Sequence, residues 1–185
     1  METLTYKLIS SGPIMFGKPI LSANLRKKAD ETHEQYEERT WMHKVLRNAD
    51  GQVCISMWAL KNALVSAGSR INMKLSGKST YTKLFRQGIV PVADMPLFRF
   101  DGKHVTLDDI DQEWLFVPVP TNRGSRVSKI FPQLREWQTT ATIQTLDPRL
   151  TDEIVRPHLV EVGTYIGFGS MRVENGGING RFAVE

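Results

Sequence analysis

The sequence predicts an α+β fold in which helices cover one face of an antiparallel sheet. Three observations predict it: an alternating strand pattern at residues 3–9, a helical pattern that follows a hairpin signal at residues 50–68, and a succession of strand, helix and strand over residues 135–185. Two βαβ-like halves with antiparallel pieces between them are typical of the ferredoxin-like (RRM-like) sandwich. The open face of that sheet binds RNA in some proteins, although a fold alone does not fix a function.

The first strand is predicted at TLTYKLI, residues 3–9. There, Leu4, Tyr6 and Leu8 alternate with more polar residues and would share one face of a half-buried strand. The charged stretch at residues 30–44 contains few aromatic residues and fits either a mobile loop or a short amphipathic helix. Both alternatives stay open at this point.

A hairpin is predicted at residues 46–56, where an Asp-Gly pair lies between two apolar runs. The next helix is predicted to begin after Ser56, a good N-cap, and to end at Gly68, because apolar residues recur between them at steps of three and four. Residues 72–113 mix polar, apolar and acidic stretches, so we predict an insertion there within one domain that spans residues 1–185.

The second half begins with two predicted strands that each carry a tryptophan. The first, WLFVPVP, begins at Trp114. The second, REWQTTATIQTL, would form one face from Trp137, Thr139, Ala141, Ile143 and Thr145.

A helix is predicted after Thr151, its N-cap, running to about Val162 with a stop at Gly163, and Pro157 predicts either a kink or a late start. Two short strands around a glycine-rich turn would complete the fold. The second half therefore repeats the strand, helix and strand order of the first.

The composition indicates a soluble domain and excludes a membrane-spanning protein. The chain has 185 residues, of which 41% are hydrophobic, and this is enough to bury a core. No apolar run approaches the roughly eighteen residues of a membrane span, and the first residues lack a signal-peptide pattern. Cys54 is the one cysteine, so no internal disulfide can form and we expect a reduced, cytoplasmic location.

The basic residues are concentrated in segments that lack acids, although the net charge of +4 is only mildly positive. These segments are residues 18–28, residues 70–86 and residues 121–129. A solvated surface is the ordinary explanation for any one of them. Three together, each rich in Gly, Ser or Asn, favour an anionic polymer as the ligand.

A glycine-rich segment at residues 167–182, GFGSMRVENGGINGRF, carries five glycines and two arginines: Gly167, Gly169, Gly176, Gly177, Gly180, Arg172 and Arg181. Glycine permits positive φ and close approach of backbone N–H groups to phosphate, and arginine adds charge and bidentate hydrogen bonds. A hairpin with a wide turn explains the pattern equally well. The spacing differs from a dinucleotide fingerprint and no helix follows, so no nicotinamide or flavin cofactor is expected.

Three separated segments resemble those of the RAMP superfamily, the repeat-associated proteins that form the backbone of CRISPR effector complexes. They are SGPIMFGK at residues 11–18, DGQVCISMWALKNALVSAG at residues 50–68 and the glycine-rich segment. The second resembles the family pattern in which a hairpin leads through Ile-Pro-Gly-Ser-Ser into Leu-Lys-Gly-Ala-Leu-Arg. It matches at Ile55, Leu60, Lys61, Ala63 and Leu64 and departs at Ser56, Met57, Asn62 and Val65. The chain is shorter than a typical member and resembles a minimal or viral relative.

The resemblance implies a ferredoxin-like core that binds the backbone of a single strand of RNA or DNA, with RNA favoured, and that stacks along this strand. The insertion at residues 72–113 would act as a thumb. Together with the basic segments, the resemblance implies contact residues at Lys61, Arg70, Lys74, Lys78, Lys83, Arg123, Arg126, Gly167, Gly169, Arg172, Gly177, Gly180 and Arg181. Tyr81 or Phe85 would stack on a base, although an aromatic more usually packs in the core.

Two other functions stay open from the sequence. One is a protein-interaction module, such as a viral mimic that occupies a slot in a RAMP assembly and blocks it. The other is a ribonuclease of the same fold, with Asp30, His33 and His43 as candidates that no pattern places in a catalytic geometry. The four histidines lack metal-ligand spacing and the acids from Asp101 to Asp111 lack the order of a calcium loop, so neither a metal site nor a catalytic residue is predicted.

Overall fold

The computed structural model describes residues 1–118 and 126–185. Its strands are β1 (Glu2–Ser10), β2 (Ile14–Met15), β3 (Cys54–Ile55), β4 (Lys74–Ser76), β5 (Ser79–Thr80), β6 (Ile89–Pro91), β7 (Met95–Pro96), β8 (Asp111–Pro118), β9 (Arg126–Leu134), β10 (Gln138–Thr145) and β11 (Phe182–Val184). Its helices are α1 (His33–Thr40), α2 (Met57–Ile71), α3 (Thr82–Gly88) and α4 (Asp152–Glu161). The fold is α+β with antiparallel sheets, as the sequence predicts.

The main sheet has the strand order β11-β1-β10-β6, and each neighbouring pair is antiparallel. Side chains on a strand alternate between the two faces, so one face of this sheet is buried and the other is open. The residues predicted to share one face of β1 and one face of β10 are buried: Leu4, Tyr6, Leu8, Trp137, Thr139, Ala141, Ile143 and Thr145. Both strand predictions are therefore confirmed.

The helices α2 and α4 pack against each other, and they contact β6 and β11 respectively. Ser56 is the N-cap of α2, as predicted, and its hydroxyl oxygen accepts from the amide of Trp58 at 3.2 Å. The predicted stop at Gly68 is wrong, because α2 continues to Ile71 and ends at Asn72, whose φ is 49°. Gly68 instead permits close helix packing, since a Cβ there would lie 3.3 Å from the Cβ of Phe85.

The helix α4 begins after Thr151, as predicted, and contains Pro157. The α-helix ends at Glu161, close to the predicted end at Val162, but Gly163 does not terminate the helical path, because the chain continues through a π-helical turn at Val162–Ile166. A Cβ at Gly163 would overlap the carbonyl oxygen of Phe182. The glycine therefore lets this turn pack directly on the backbone of β11, and its role is close approach and not helix termination.

A second sheet has the order β2-β9-β8. Its strands β8 and β9 form a long antiparallel pair, which confirms the predicted strand from Trp114 to Pro118, whereas residues 119 and 120 of that prediction lie outside the described residues. The strand β2 pairs with the other edge of β9 near Leu134. Residues 72–113, predicted as an insertion, contain the β4–β5 hairpin, α3, β6 and β7. The strand β6 is an edge strand of the main sheet, so this range is only partly outside it.

The charged segment at residues 30–44, for which a loop and a short amphipathic helix were both open, contains the helix α1. Thr32 and Gln35 form a capping box at the start of α1, and a 3₁₀ turn at Trp41–Lys44 follows the helix.

The Asp-Gly pair forms the predicted turn, closed by a hydrogen bond from the Asn48 amide to the Gln52 carbonyl oxygen at 2.9 Å. No helix in residues 1–118 or 126–185 is long and apolar enough to cross a membrane.

The buried histidine of α4, His158, makes stability depend on pH. Its ring lies 4.1 Å from the ring of Phe85, Nδ1 donates to the Ile154 carbonyl oxygen at 2.6 Å, and Nε2 has no partner in the described chain. Burial lowers the pKa of His158 below its ordinary value. On acidification the unfolded chain therefore binds a proton at this residue before the folded chain does, and the folded state loses stability.

We expect the free energy of unfolding to fall by up to about 1.4 kcal/mol per pH unit from this residue below pH ~6.5. Above that pH the histidine is neutral in both states and contributes no slope. Urea unfolding at several pH values compares the wild type with His158→Leu, which lacks this titration. Parallel pH profiles for the two proteins would contradict the prediction.

Candidate nucleic-acid interface

The glycine-rich segment forms a compact loop, residues 167–181, which we call the glycine loop. It packs on the chain at β2: the amide of Gly180 donates to the Pro13 carbonyl oxygen and the amide of Ser170 to the Met15 carbonyl oxygen, each at 2.7 Å. Within it, residues 173–175 form a 3₁₀ turn, and β11 follows the loop directly along the chain. Of the two short strands predicted around the glycine-rich turn, the second is β11, and the first is wrong because Val162–Ile166 form a π-helical turn.

The glycines of this loop are required by backbone geometry. Gly167, Gly169 and Gly180 have φ values of 76°, 81° and 76°. A Cβ at Gly169 would overlap the carbonyl oxygen of Met15, and a Cβ at Gly180 would overlap the backbone of Phe168. Only glycine fits a left-handed backbone in such close contact. The loop is thus held in a fixed position beside β2 and α2.

Three neighbouring cavities extend from the glycine loop to α1, and we call them together the groove. The first part, of about 260 Å³, lies between α2 and the loop. The central part, of about 450 Å³, lies between the end of β2, the start of α2 and the loop. The third part, of about 290 Å³, lies between α1, β9 and the segment after β2. Adjacent parts share lining residues: Ala59, Gly169 and Arg172 at one junction, and Gly17, Lys18 and Lys44 at the other.

Cationic side chains line this groove at Lys18, Lys44, Lys129 and Arg172. Lys18 is exposed, and neither it nor Lys129 forms an ion pair within the described ranges. Arg172 pairs with Glu174, with 2.8 Å between Nη2 and Oε2. A partly exposed ion pair of this kind contributes little to stability, so the guanidinium is able to exchange its carboxylate for a phosphate.

Lys44 has a structural role as well as a place on the groove wall. Beyond the end of β2, the free edge of β9 is completed by two side chains. The carboxylate of Glu37 accepts from the amide of Ile130 at 2.8 Å, and Lys44 donates to the Ile130 carbonyl oxygen at 2.7 Å and to the Glu37 carboxylate. Glu37 is 2% exposed. This buried pair joins α1 and the 3₁₀ turn to β9 and so shapes the third part of the groove.

The start of α2 is closed to a phosphate. The amide of Met57 donates to a carboxylate oxygen of Asp94 at 2.8 Å, and the hydroxyl of Ser56 holds the next amide. A helix N-terminus attracts one anion, and here Asp94 already provides it. The sequence departs from the RAMP-like pattern at this same point, Ser56 and Met57.

Three of the predicted contact residues line the groove, namely Gly167, Gly169 and Arg172. Gly177 and Gly180 lie within the glycine loop, where a Cβ at Gly177 would overlap the carbonyl oxygen of Met171. These two glycines support the shape of the loop and are not on the groove wall.

Lys61 and Arg70 are directed to partners within the protein. The ammonium of Lys61 donates to the carbonyl oxygen of Phe85 at 3.0 Å and also to that of Ile89, and burial lowers its pKa. Arg70 pairs with Glu161 at 2.8 Å and lies 5.2 Å from the ring centre of Tyr165. Lys61 therefore ties α2 to the end of α3 and does not reach the groove.

The remaining predicted cations lie on other exposed surfaces. Lys74 is on β4, Lys78 is in the turn before β5 and Lys83 is on α3. Arg126 begins β9, and Arg181 is exposed with its Cβ 3.6 Å from the position of a Cβ at Gly12. Arg123 lies outside the described residues.

The two aromatic candidates for base stacking pack against the core: Phe85 is fully buried and Tyr81 is half-buried. The sequence interpretation of core packing is therefore the better one for both. The open face of the main sheet carries Thr3, Thr5 and Lys7 of β1 and Thr140 and Thr142 of β10. The exposed positions of these strands hold no aromatic side chain, so this face does not provide the stacking surface of an RNA-recognition motif.

Among the ribonuclease candidates, His33 lines the third part of the groove, whereas Asp30 and His43 do not. The Nε2 atom of His33 lies 4.0 Å from Oε1 of Glu37 and has no hydrogen-bond partner among the residues the structure describes. The same residues contain no group of three potential metal ligands.

No family model matches the chain, and a comparison with curated proteins finds no match. The functional argument therefore depends on the residues themselves.

Lys18 and Lys129 belong to predicted basic segments but are not among the predicted contact residues. Lys44 lies in the segment for which a loop and a helix were both open. Their shared position is set by the packing of β2, α1 and β9, and only spatial proximity identifies it.

Proposed function

We propose that this chain is a RAMP-like, ferredoxin-like protein that binds a single strand of nucleic acid, preferably RNA, without reading its sequence. The fold part of the proposal is supported by connectivity. The elements β1, α2, β6, β10, α4 and β11 follow the βαββαβ order, and the fully antiparallel sheet β11-β1-β10-β6 places the last strand beside the first. The glycine loop beside α2 supports the RAMP-like part.

The observation that carries the binding proposal is this row of neighbouring cavities lined by cations, in which the carboxylates of Glu37 and Glu174 are paired with Lys44 and Arg172. Lys18 lies at the junction of two of its parts, Arg172 at the other junction and Lys129 in the third part. A chain of phosphates along this path would meet a cation in each part, and phosphate neutralisation is the main source of sequence-independent affinity. Self-stacking along the strand remains part of the RAMP-like proposal.

We expect the double variant Lys18→Ala, Lys129→Ala to bind a mixed-sequence single strand on the order of tenfold more weakly, because it removes two charge-assisted contacts. The plot of log affinity against log salt concentration should become shallower by about 1.4, since each contact with a single strand contributes about 0.7. Fluorescence anisotropy with a labelled RNA of mixed sequence, at several salt concentrations, measures both quantities.

The matched control is Lys78→Ala, Lys83→Ala, which removes the same charge from exposed sites outside the groove. This variant should keep most of the affinity and the wild-type salt slope. Equal losses in the two double variants would show that net charge, and not the groove, determines binding. Absence of strand binding in the wild type would overturn the proposal in favour of a protein-interaction module.

A second candidate function is RNA cleavage, favoured by the position of His33. The imidazole of His33 lines the third part of the groove together with Lys44 and Lys129, and a histidine beside a bound strand can take the proton of a ribose 2′-hydroxyl, although its Nε2 atom is itself buried. In that case the wild type cleaves RNA without a metal, and neither His33→Ala on RNA nor the wild type on a 2′-deoxy strand gives products. Intact RNA after prolonged incubation with the wild type would exclude this candidate.

A further inference from the structure

The strand β8 is the free edge of the second sheet, and a free edge is a template for a further strand. It pairs with β9 along its whole length without a register shift, and no backbone hydrogen bond leaves its other edge within the described ranges. Charges, prolines and bulges usually protect such an edge. In β8 the acids Asp111 and Glu113 lie near one end and Pro118 at the other, which leaves the uncharged residues 114–117 without this protection.

Two exposed aromatic side chains lie on this uncharged stretch. Trp114 and Phe116 are 41% and 68% exposed, and they share one face because alternate residues of a strand point the same way. Lys129 and Phe131, which line the third part of the groove, pair with odd-numbered residues of β8, and these point to the opposite face. The aromatic pair is therefore outside the groove, and the proposed strand binding leaves it exposed.

The sequence of β8 is complementary to itself about Leu115. In an antiparallel pair of strands related by a two-fold axis, one residue lies opposite its own copy. With Leu115 in that place, Trp114 of each copy lies opposite Phe116 of the other, on the same face. Aromatic cross-strand pairs of this kind stabilise a sheet. The same pairing places Glu113 opposite Val117 of the second copy, so like charges do not face each other.

The charges at the two ends of β8 favour the same arrangement. The acids are near the start of the strand, whereas the exposed Arg126 of β9 pairs with Pro118 at its end. An antiparallel partner brings the acidic start of one copy beside the basic end of the other, at both ends of the interface. A nucleic-acid strand along this edge would instead meet the carboxylates of Asp111 and Glu113 and no lysine or arginine of β8 itself.

We propose that β8 pairs with β8 of a second copy of this chain, antiparallel about Leu115, to form a two-fold dimer. The two three-stranded sheets then continue as one sheet, and the aromatic side chains of both copies pack together on one face of it. The two-fold axis closes the assembly at two copies, which distinguishes it from stacking along a strand. The dimer does not depend on the proposed nucleic-acid binding. An interface of one strand pair is small, so we expect one and two copies in equilibrium.

Sedimentation velocity of the nuclease-treated protein, over a range of protein concentrations, tests the dimer in the absence of nucleic acid. We expect the sedimentation coefficient to rise with concentration and to level off at the value for two copies. A single copy at every concentration would overturn the proposal. Growth beyond two copies would overturn it as well, because an isologous pair is closed.

Charges introduced at Leu115 test the register. In Leu115→Lys and in Leu115→Glu the two-fold axis places like charges directly opposite each other, and we expect each variant alone to dimerise at least about tenfold more weakly. In an equal mixture of the two variants lysine faces glutamate, and we expect the dimer to return. Leu146→Lys is the matched control, because Leu146 is 53% exposed and lies outside β8 and β9, and it should dimerise as the wild type does.

Circular dichroism first establishes that the variants are folded. A mixture of the two folded variants that stays monomeric would overturn the pairing about Leu115. Dimerisation that is unchanged in both single variants would place the contact elsewhere and would also overturn the inference. The concentration dependence of the wild type decides on the dimer even where the variants do not fold.

Discussion

Replacing Gly180 by Ala is expected to destabilise the protein by about 4 kcal/mol or to prevent folding. Gly180 has a φ of 76°, which costs an L-residue roughly 1–3 kcal/mol. The added Cβ would also overlap the backbone of Phe168, and inserting atoms into a packed site costs about 1–3 kcal/mol more. The backbone has little freedom to move, because the amide of Gly180 is bound to the carbonyl oxygen of Pro13.

Gly176→Ala is the matched control for this variant. Gly176 has a φ of 79° in the same loop, but nothing lies within 4 Å of a Cβ at that position. It should therefore lose only the conformational cost, about 1–2 kcal/mol. Urea unfolding followed by circular dichroism measures both variants. Similar losses for the two would show that close packing on Phe168 does not hold the loop in place.

The predicted parts of the fold are those in which local pattern and tertiary packing agree. The alternation of Leu4, Tyr6 and Leu8 sets the buried face of β1, and Ser56 sets the start of α2, because each signal depends on neighbours in sequence. Glycine often ends helices, so the local pattern predicts helix stops at Gly68 and Gly163. Their roles are close approach to Phe85 and Phe182, which are distant in sequence, so no local pattern contains this information.

The candidate site likewise has features that the sequence predicts and features that depend on tertiary packing. The glycines were recognisable as positions of unusual backbone geometry, and the structure gives them this role within the loop. For the cations, the sequence shows only that basic residues outnumber acidic ones in certain segments. This excess does not show where each basic side chain points. Lys61 is directed to the carbonyl oxygens at the end of α3, whereas Lys18 and Lys129, more than a hundred residues apart, line the same groove. Which lysine faces a ligand is decided by packing between β2, α1 and β9.

The buried pair of Glu37 and Lys44 holds this packing together, so breaking it is expected to have a second large effect. In Glu37→Leu the amide of Ile130 loses its acceptor and the ammonium of Lys44 loses its carboxylate. In Lys44→Met the carboxylate of Glu37 stays in place at 2% exposure without its cation. Each variant should lose about 3–5 kcal/mol of unfolding free energy, the usual result of leaving one charge of a buried pair.

The double variant Glu37→Leu, Lys44→Met should be no less stable than the worse single variant, because neither charge then remains buried alone. Glu38→Leu, at an exposed position of the same helix, is the control and should change stability by less than about 0.5 kcal/mol. Denaturant unfolding of the four variants measures these differences. Simple addition of the two single effects in the double variant would mean that Glu37 and Lys44 act independently, and the edge of β9 would then owe its position to other contacts.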